Sequence, residues 1–287
     1  MNEIRKVPAS AGAEWVLGGF DLLRRSPLGL GLLGVIYGLL ALLVASSAQL
    51  GTGVFILLEL AMMIAGPMLV GGIAWAVRSV DQGGRAEPAH LLQGFRPDRA
   101  GRLVLTLLPS IGAVFVCMIL LYAMVGGEAL MQVASAVEKA GPSGQVDPSV
   151  FEGFPFGRFA LWLLLSLLVG IVAGFFNFVA VPEIMFSDRG AFAAMGRSFR
   201  ACVRNLPAFL VMLLLLVIAM IALYIAVLIL GLVANVLAGQ AAMQIVVQLL
   251  TTAVLMPVAM GMVYTAWKQM LGAAPAQAAA PVTGIEL

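Results

Sequence analysis

The chain alternates between long apolar runs and short polar connections. Six runs reach membrane length: residues 28–48, 54–77, 103–125, 158–186, 207–234 and 243–267. At a rise of ~1.5 Å per residue each covers the ~30 Å hydrocarbon core of a bilayer. Between the runs the pattern changes to helical amphipathicity. In residues 192–207, Phe192, Met195, Phe199, Cys202, Val203 and Leu206 share one helical face, Arg197, Arg200 and Arg204 lie elsewhere, and Pro207 opens the next run. Weaker versions precede the first and third runs. Trp15, Val16, Gly19, Phe20 and Leu23 share a face closed by Arg24-Arg25, with Pro27 where a helix can begin. Gly94-Phe95-Arg96-Pro97-Asp98-Arg99 repeats the Gly-Phe start and the arginines, with Pro97 interrupting the helical pattern. Such segments predict interfacial helices, arginines toward phosphates and apolar faces in the acyl boundary.

Composition sharpens this picture. The 287 residues are 62% hydrophobic and 10% charged, against about 45–50% and 25% in soluble domains. The pattern predicts an all-α polytopic membrane protein, a single integral domain over 1–271 with a polar loop at 126–157 and an Ala/Pro-rich, disordered tail at 272–287. The first run is long enough to span and lacks a small-residue cleavage site, so it reads as a span and not as a signal peptide. Cys117 lies inside a run and Cys202 on an amphipathic segment, which predicts no disulfide. One histidine, His90, and no Cys/His cluster argue against a transition-metal site.

Charge placement predicts topology. With six spans both termini share a side, and that side carries 14 of the 16 basic residues, leaving Lys139 and Arg158 opposite. The positive-inside rule puts the rich side, with both termini, in the cytoplasm and the 126–157 loop on the opposite side of the membrane.

The segments also repeat. Phe20 precedes Arg25 by five residues with Pro27 after it, and Phe199 precedes Arg204 by five with Pro207 after it. Gly66-Pro67-x-x-x-Gly71 in the second run matches Met256-Pro257-x-x-x-Gly261 in the sixth; the separation from Pro67 to Arg78 equals that from Pro257 to Lys268. Pro182 holds the corresponding place in the fourth. The pattern reads as three units, about 11–78, 86–186 and 191–268, each an interfacial segment followed by a two-span hairpin whose return helix kinks at proline. Each unit crosses twice, so the three are parallel, related by an axis along the membrane normal.

Ser198-Phe-Arg-Ala-Cys-Val-Arg-Asn-Leu-Pro207, with Pro182 before it and Val263-Tyr-Thr-Ala-Trp-Lys268 after it, resembles an uncharacterised proteobacterial family of six-helix inner-membrane proteins. The resemblance covers most of the chain, including Val7-Pro8, Trp15, Gly19-Phe20 and Arg24-Arg25. More distantly, Pro182-Glu183 followed by Ala194-x-x-x-Ser198-Phe199 looks like the membrane domain fused to some glycerophosphodiester phosphodiesterases, whose catalytic domain has no counterpart here. The near resemblance implies a fold, a place in the bacterial inner membrane with the 126–157 loop in the periplasm, and no assigned activity.

Candidate chemistry is sparse. Glu59 and Glu183 are carboxylates near or within spans. With the carbonyl freed by Pro182, Glu183 is read either as part of a cation or proton site or, favoured, as a border carboxylate facing arginines such as Arg189. Asn177 lies deeper, read as an interhelical hydrogen bond or an intramembrane polar site. Gln244, Gln248 and Thr252 share a face at i, i+4, i+8, either a wet vestibule or a hydrogen-bonded seam. Gly34-x-x-x-Gly38 and Gly170-x-x-x-Gly174 permit close helix packing, within the chain or in a homo-oligomer. Arg24, Arg25, Arg96, Arg99, Arg197, Arg200 and Arg204 are candidates for anionic phospholipid headgroups. No catalytic triad, phosphate loop, paired catalytic carboxylates or metal spacing is present, so the expectation is a non-enzymatic protein without cofactor or nucleic-acid partner, working through membrane lipids or partner proteins. The alternative is a small carrier or channel with its path between the hairpins.

Overall fold

The computed structural model describes residues 3–140 and 151–272. Among them all regular structure is helical: α1 (Ala11–Arg25), α2 (Pro27–Ser46), α3 (Thr52–Asp81), α4 (Pro97–Val104), α5 (Leu107–Val125), α6 (Gly127–Ala140), α7 (Phe156–Asn177), α8 (Ala180–Phe186), α9 (Ala191–Arg204), α10 (Leu206–Ala238) and α11 (Gln240–Met270), with 3₁₀ segments at Ser47–Leu50 and Pro88–Phe95. Six stretches are long and apolar enough to cross a membrane: Pro27–Leu50, Thr52–Asp81, Pro97–Val125, Phe156–Phe186, Leu206–Ala238 and Gln240–Met270. Their outer faces expose rows of large apolar side chains, such as Leu210, Leu214, Ile218, Ile221 and Ile225 on α10. A surface of this kind belongs in lipid, and the six helices point to a multi-pass membrane protein. The tail from residue 273 and residues 141–150 of the predicted loop lie outside the described residues. The rest of that loop is not all irregular, because Gly127–Ala140 is rich in strong helix formers and is helical.

Consecutive long helices pack in pairs, α2 with α3, α5 with α7 and α10 with α11, while α3, α8 and α11 also meet one another. Two of the predicted runs are broken. The third bends at Leu105-Thr106, where the Thr106 hydroxyl donates to the Leu103 carbonyl at 2.6 Å. The fourth breaks after Asn177, and there the Ser198 hydroxyl donates to Phe175 O at 2.7 Å and accepts from Val179 N at 3.0 Å. A side chain from α9 thus stands between a carbonyl and the amide four residues on. Pro97 does not interrupt a helix. Arg96 is extended and Pro97 is the first residue of α4, where its missing N–H costs nothing.

The short segments do not lie loosely on the bundle. Each docks against the backbone of a long helix, through the residue before a phenylalanine. Gly19, before Phe20, rests on Val258 of α11, and a Cβ there would overlap the Val258 carbonyl. Gly94, before Phe95, rests likewise on the Met68 carbonyl of α3. Val258 and Met68 each directly follow a helix-internal proline, Pro257 and Pro67. Ser198, before Phe199, meets the fourth span at the break just described, two turns before Pro182. Gly12 also abuts the Ala208 carbonyl of α10. These approaches shift the buried faces from those expected. The face of α1 that packs inward is Ala11, Gly12, Trp15, Val16, Gly19 and Leu22, with Phe20 turned out. On α9 the small residues Ala191, Ala194, Ser198, Ala201 and Cys202 pack inward with Met195 and Arg197, and Phe192 and Val203 point outward, as does Leu206 at the start of α10. Small side chains win the interior because backbones then approach closely, the main source of helix attraction where surrounding lipid is as apolar as leucine.

The two glycine motifs part company. Gly34 and Gly38 pack on Thr252 and Ala253 of α11, whereas among the described residues nothing lies within 4 Å of a Cβ at Gly170 or Gly174. Overpacking a filled interface costs ~1–3 kcal/mol. Gly19→Val and Gly94→Val are therefore expected to lower thermal unfolding temperatures in detergent clearly, and Gly170→Val to change them little. Equal shifts for all three would contradict the docking described here.

Candidate functional site at the arginine-rich end

The ends of α3, α8 and α11 converge with α1, α4 and α9 on a single polar cluster. At its centre is Glu183, only 3% exposed. One carboxylate oxygen is 2.9 Å from Arg189 Nε and 3.0 Å from Arg197 Nε. The other accepts the Trp267 indole N–H at 2.7 Å. The fourth span, α9 and α11 are thereby tied through one side chain. Two guanidiniums and an indole already engage the carboxylate, and Arg189, the arginine expected to face it, is one of the three. Arg197 is itself buried. It is turned inward, against the expectation of a headgroup contact, and shares with Arg189 the neutralisation of the buried Glu183 carboxylate.

Beside this cluster Phe186 is boxed by Trp75, Tyr264 and Trp267, with ring centroids 6.2, 5.9 and 5.3 Å away, and the Arg78 guanidinium stacks 4.6 Å from its centroid. Arg99 covers Trp75 in the same way at 4.7 Å. Its side chain is largely tucked in, with the Asp98 carboxylate 3.3 Å from Nε. Asp81, at the end of α3, accepts from Tyr264 Oη at 2.9 Å and Lys268 Nζ at 2.7 Å. Arg102 reaches across to the Arg189 carbonyl at 2.9 Å, joining α4 to the turn before α9.

An open basin of about 700 Å³ lies next to this network, walled by Arg5, Lys6, Glu14, Arg78, Asp81 and Lys268, with Tyr264 and Trp267 among its apolar lining. Its N-terminal wall is fixed by Asn205, which is buried: Oδ1 accepts from Val7 N at 2.8 Å and Nδ2 donates to Arg5 O at 3.1 Å. Trp15 and Glu14 on α1 are both held by Gln269, at 2.7 and 2.8 Å.

Of the remaining candidates, Arg24, Arg25, Arg96, Arg200 and Arg204 are exposed at this end. Arg25 pairs with Asp21 one turn back, and Arg200 Nε donates to the Gly196 carbonyl at 3.1 Å. Glu59 and Asn177, far apart in sequence, line one lateral cleft of about 400 Å³ with Tyr37, Thr106 and Ser110. In it Asn177 Nδ2 donates to Ser110 Oγ at 3.2 Å, while Asn177 Oδ1 is buried with no partner among the described residues. Of Gln244, Gln248 and Thr252, the first is exposed, the second half-buried and the third buried. Thr252 is buried against Gly34 and Gly38 with its hydroxyl on the Gln248 and Leu249 carbonyls of its own helix, at 2.9 and 3.2 Å. In the sequence Arg5 is only one of the topology charges, Arg78 and Lys268 mark equal distances after prolines, Tyr264 and Trp267 enter only through the Val263–Lys268 stretch of the family resemblance, and Asp81 does not stand out. The equal Pro-to-cation separations of Arg78 and Lys268 are the one signal that joins two of them.

Removing one partner of a buried ion pair costs about 3–5 kcal/mol, whereas replacing the whole set with apolar groups costs far less. Glu183→Gln should accordingly destabilise the protein strongly in thermal unfolding, and adding Arg197→Met to it should restore part of the loss. The Cys202 thiol is pushed up to about 12 by burial. It stays protonated in the folded protein well past neutral pH, and any stability linked to it is lost only as pH rises above the ordinary thiol value. Maleimide at pH 7–8 should label Cys202 in denatured protein and not in folded protein; rapid labelling of the folded form would show that α9 is not docked.

No known protein family, curated protein or solved structure matches the chain. Function is therefore read from the geometry of this cluster, the basin and the cleft.

Proposed function

We propose that this chain is a non-enzymatic protein of the bacterial inner (cytoplasmic) membrane, with both termini cytoplasmic, that holds and organises anionic lipid or a partner protein through its basic end. It is built as three parallel units, each an interfacial segment and a two-span hairpin. Support for the repeat comes from the shared docking register: the residue before Phe20 and before Phe95 meets the carbonyl just after Pro257 and Pro67 respectively. The order is cyclic. The segment of the second unit sits on the return helix of the first, that of the third on the second, and α1 on that of the third.

The observation that carries the lipid reading is the set of exposed arginines, Arg24, Arg25, Arg96, Arg200 and Arg204, together with the outward apolar side chains Phe192 and Val203 on α9, which carries the last two, and Leu206 at the start of α10. Exposed cations beside exposed apolar side chains suit the headgroup and acyl zones of one leaflet, and each cation is worth ~1 kcal/mol near an anionic surface. Arg99 and Arg197 have internal partners and serve the fold. A second copy of the chain is the natural occupant of the open Gly170/Gly174 face.

One observation favours a second reading. The cleft that joins Glu59 to Asn177 brings a carboxylate and an amide together between span helices, as a carrier or channel with its path between the hairpins would require.

Replacing Arg200 and Arg204 together by Gln should lower co-purified anionic phospholipid by native mass spectrometry without affecting insertion. Unchanged lipid content would sink the lipid reading. Asn177→Leu has no effect on lipid content under this reading, whereas under the carrier reading it abolishes cleft occupancy.

A further inference from the structure

We propose that the basin between the N-terminal segment, α3 and α11 is a binding site for a phosphoryl oxyanion. The proposal deepens the lipid reading and rests on it only for one of two sources of that group, a phospholipid headgroup or a free phosphate.

The charge in the basin is unbalanced. Four cations, Arg5, Lys6, Arg78 and Lys268, face two carboxylates, Glu14 and Asp81. Both carboxylates are already engaged, Asp81 by Tyr264 and Lys268 and Glu14 by Gln269. Arg78 sits over the Phe186 ring, its guanidinium carbon 4.6 Å from the centroid, and has no carboxylate partner among the described residues. Stacking fixes the plane of a guanidinium while leaving its edge N–H groups to donate, the arrangement in which arginine grips a phosphoryl group in bidentate fashion. Arg5 is also positioned and not fully satisfied: Nη2 donates to the Lys268 and Gly272 carbonyls, and its buried Nε has no partner among the described residues.

The walls are built and not incidental. Arg5 N donates to Met270 O at 3.0 Å, and the buried Asn205 holds the same stretch of chain at Arg5 O and Val7 N. Lys6 is thus carried, exposed, over the end of α11. The volume of about 700 Å³ leaves room for a phosphodiester and its neighbours. A surplus of fixed positive charge around an open basin disfavours a metal cation and favours an anion with several acceptor oxygens. Arg78 and Lys268, which hold the same place after Pro67 and Pro257, both line it. Two equivalent cations of the proposed units thereby converge on one basin.

The test uses the full chain in neutral detergent with two probes: inorganic phosphate titrated against acetate at matched ionic strength, and phosphatidylglycerol against phosphatidylcholine by native mass spectrometry. Arg78→Gln should weaken the bound probe by about tenfold or more, the worth of a charge-assisted hydrogen bond. Arg78→Lys should restore part of it, and Lys6→Gln, on an exposed side chain that cannot disturb folding, should weaken it less. Binding of phosphate identifies a soluble phosphoryl ligand, and binding of phosphatidylglycerol alone identifies a headgroup; either, lost in Arg78→Gln and reduced in Lys6→Gln, supports the site. No preference over acetate and phosphatidylcholine, or a preference untouched by both substitutions, overturns it. The Arg200/Arg204 double variant separates the two ideas, since it removes loosely held lipid and leaves this single adduct in place.

Discussion

Close approach of backbones is the constraint on which the rest of this structure depends. In lipid, helices gain little from hiding apolar side chains, so association falls to van der Waals contact and hydrogen bonding at short range. Three short segments meet that need with a glycine or serine ahead of a phenylalanine: Gly19 on α11, Gly94 on α3 and Ser198 on α7 and α8. The first two tolerate no Cβ. The third uses its hydroxyl where the helix has already broken, satisfying a carbonyl and an amide that would otherwise be orphaned in an apolar setting. The phenylalanine that follows is then aimed away from the contact, which is why Phe20 is exposed although it lies on the apolar face read from periodicity.

Around these contacts the polar groups divide into two kinds. Glu183, Arg197, Asn205 and Ser198 are buried and bonded, and they determine how α1, α8, α9 and α11 meet. Removing any one leaves a buried group without its partner, so their role is specificity of packing. Arg78, Lys6 and the outer arginines instead face open space and have capacity left over. The distinction separates structure from candidate function more sharply than residue type does: Arg197 and Arg200 are three residues apart on one helix, and only the second is turned outward.

The six spans are legible in the sequence because length and hydropathy alone set them. The breaks at Thr106 and Asn177 are not, since each depends on a side-chain hydroxyl, its own or one from a distant helix, that replaces a backbone bond. The inward faces of α1 and α9 differ from the periodicity for a related reason. A helical pattern of apolar positions gives most weight to large side chains, whereas a membrane interface selects small ones. The placing of Glu183 opposite Arg189 follows from the border position of both. Its sharing with Arg197 and Trp267 does not, because those partners arrive from two other helices. Likewise Arg78 and Lys268 stand out in the sequence only as equal distances from prolines, and their common basin emerges when α3 and α11 meet.

The proposed ring of three units closes where α1 meets the last return helix, and one cross-linking measurement addresses that closure. Glu14 and Gln269, whose side chains are 2.8 Å apart, are both replaced by cysteine in a background lacking Cys117 and Cys202. A protease site in the 126–157 loop then allows the chain to be cut between the two cysteines. After treatment with a short bifunctional reagent in native membranes and cutting, the halves should run together on a denaturing gel as a single cross-linked chain. Halves that separate, or that join only between different molecules, would show that α1 does not close the ring.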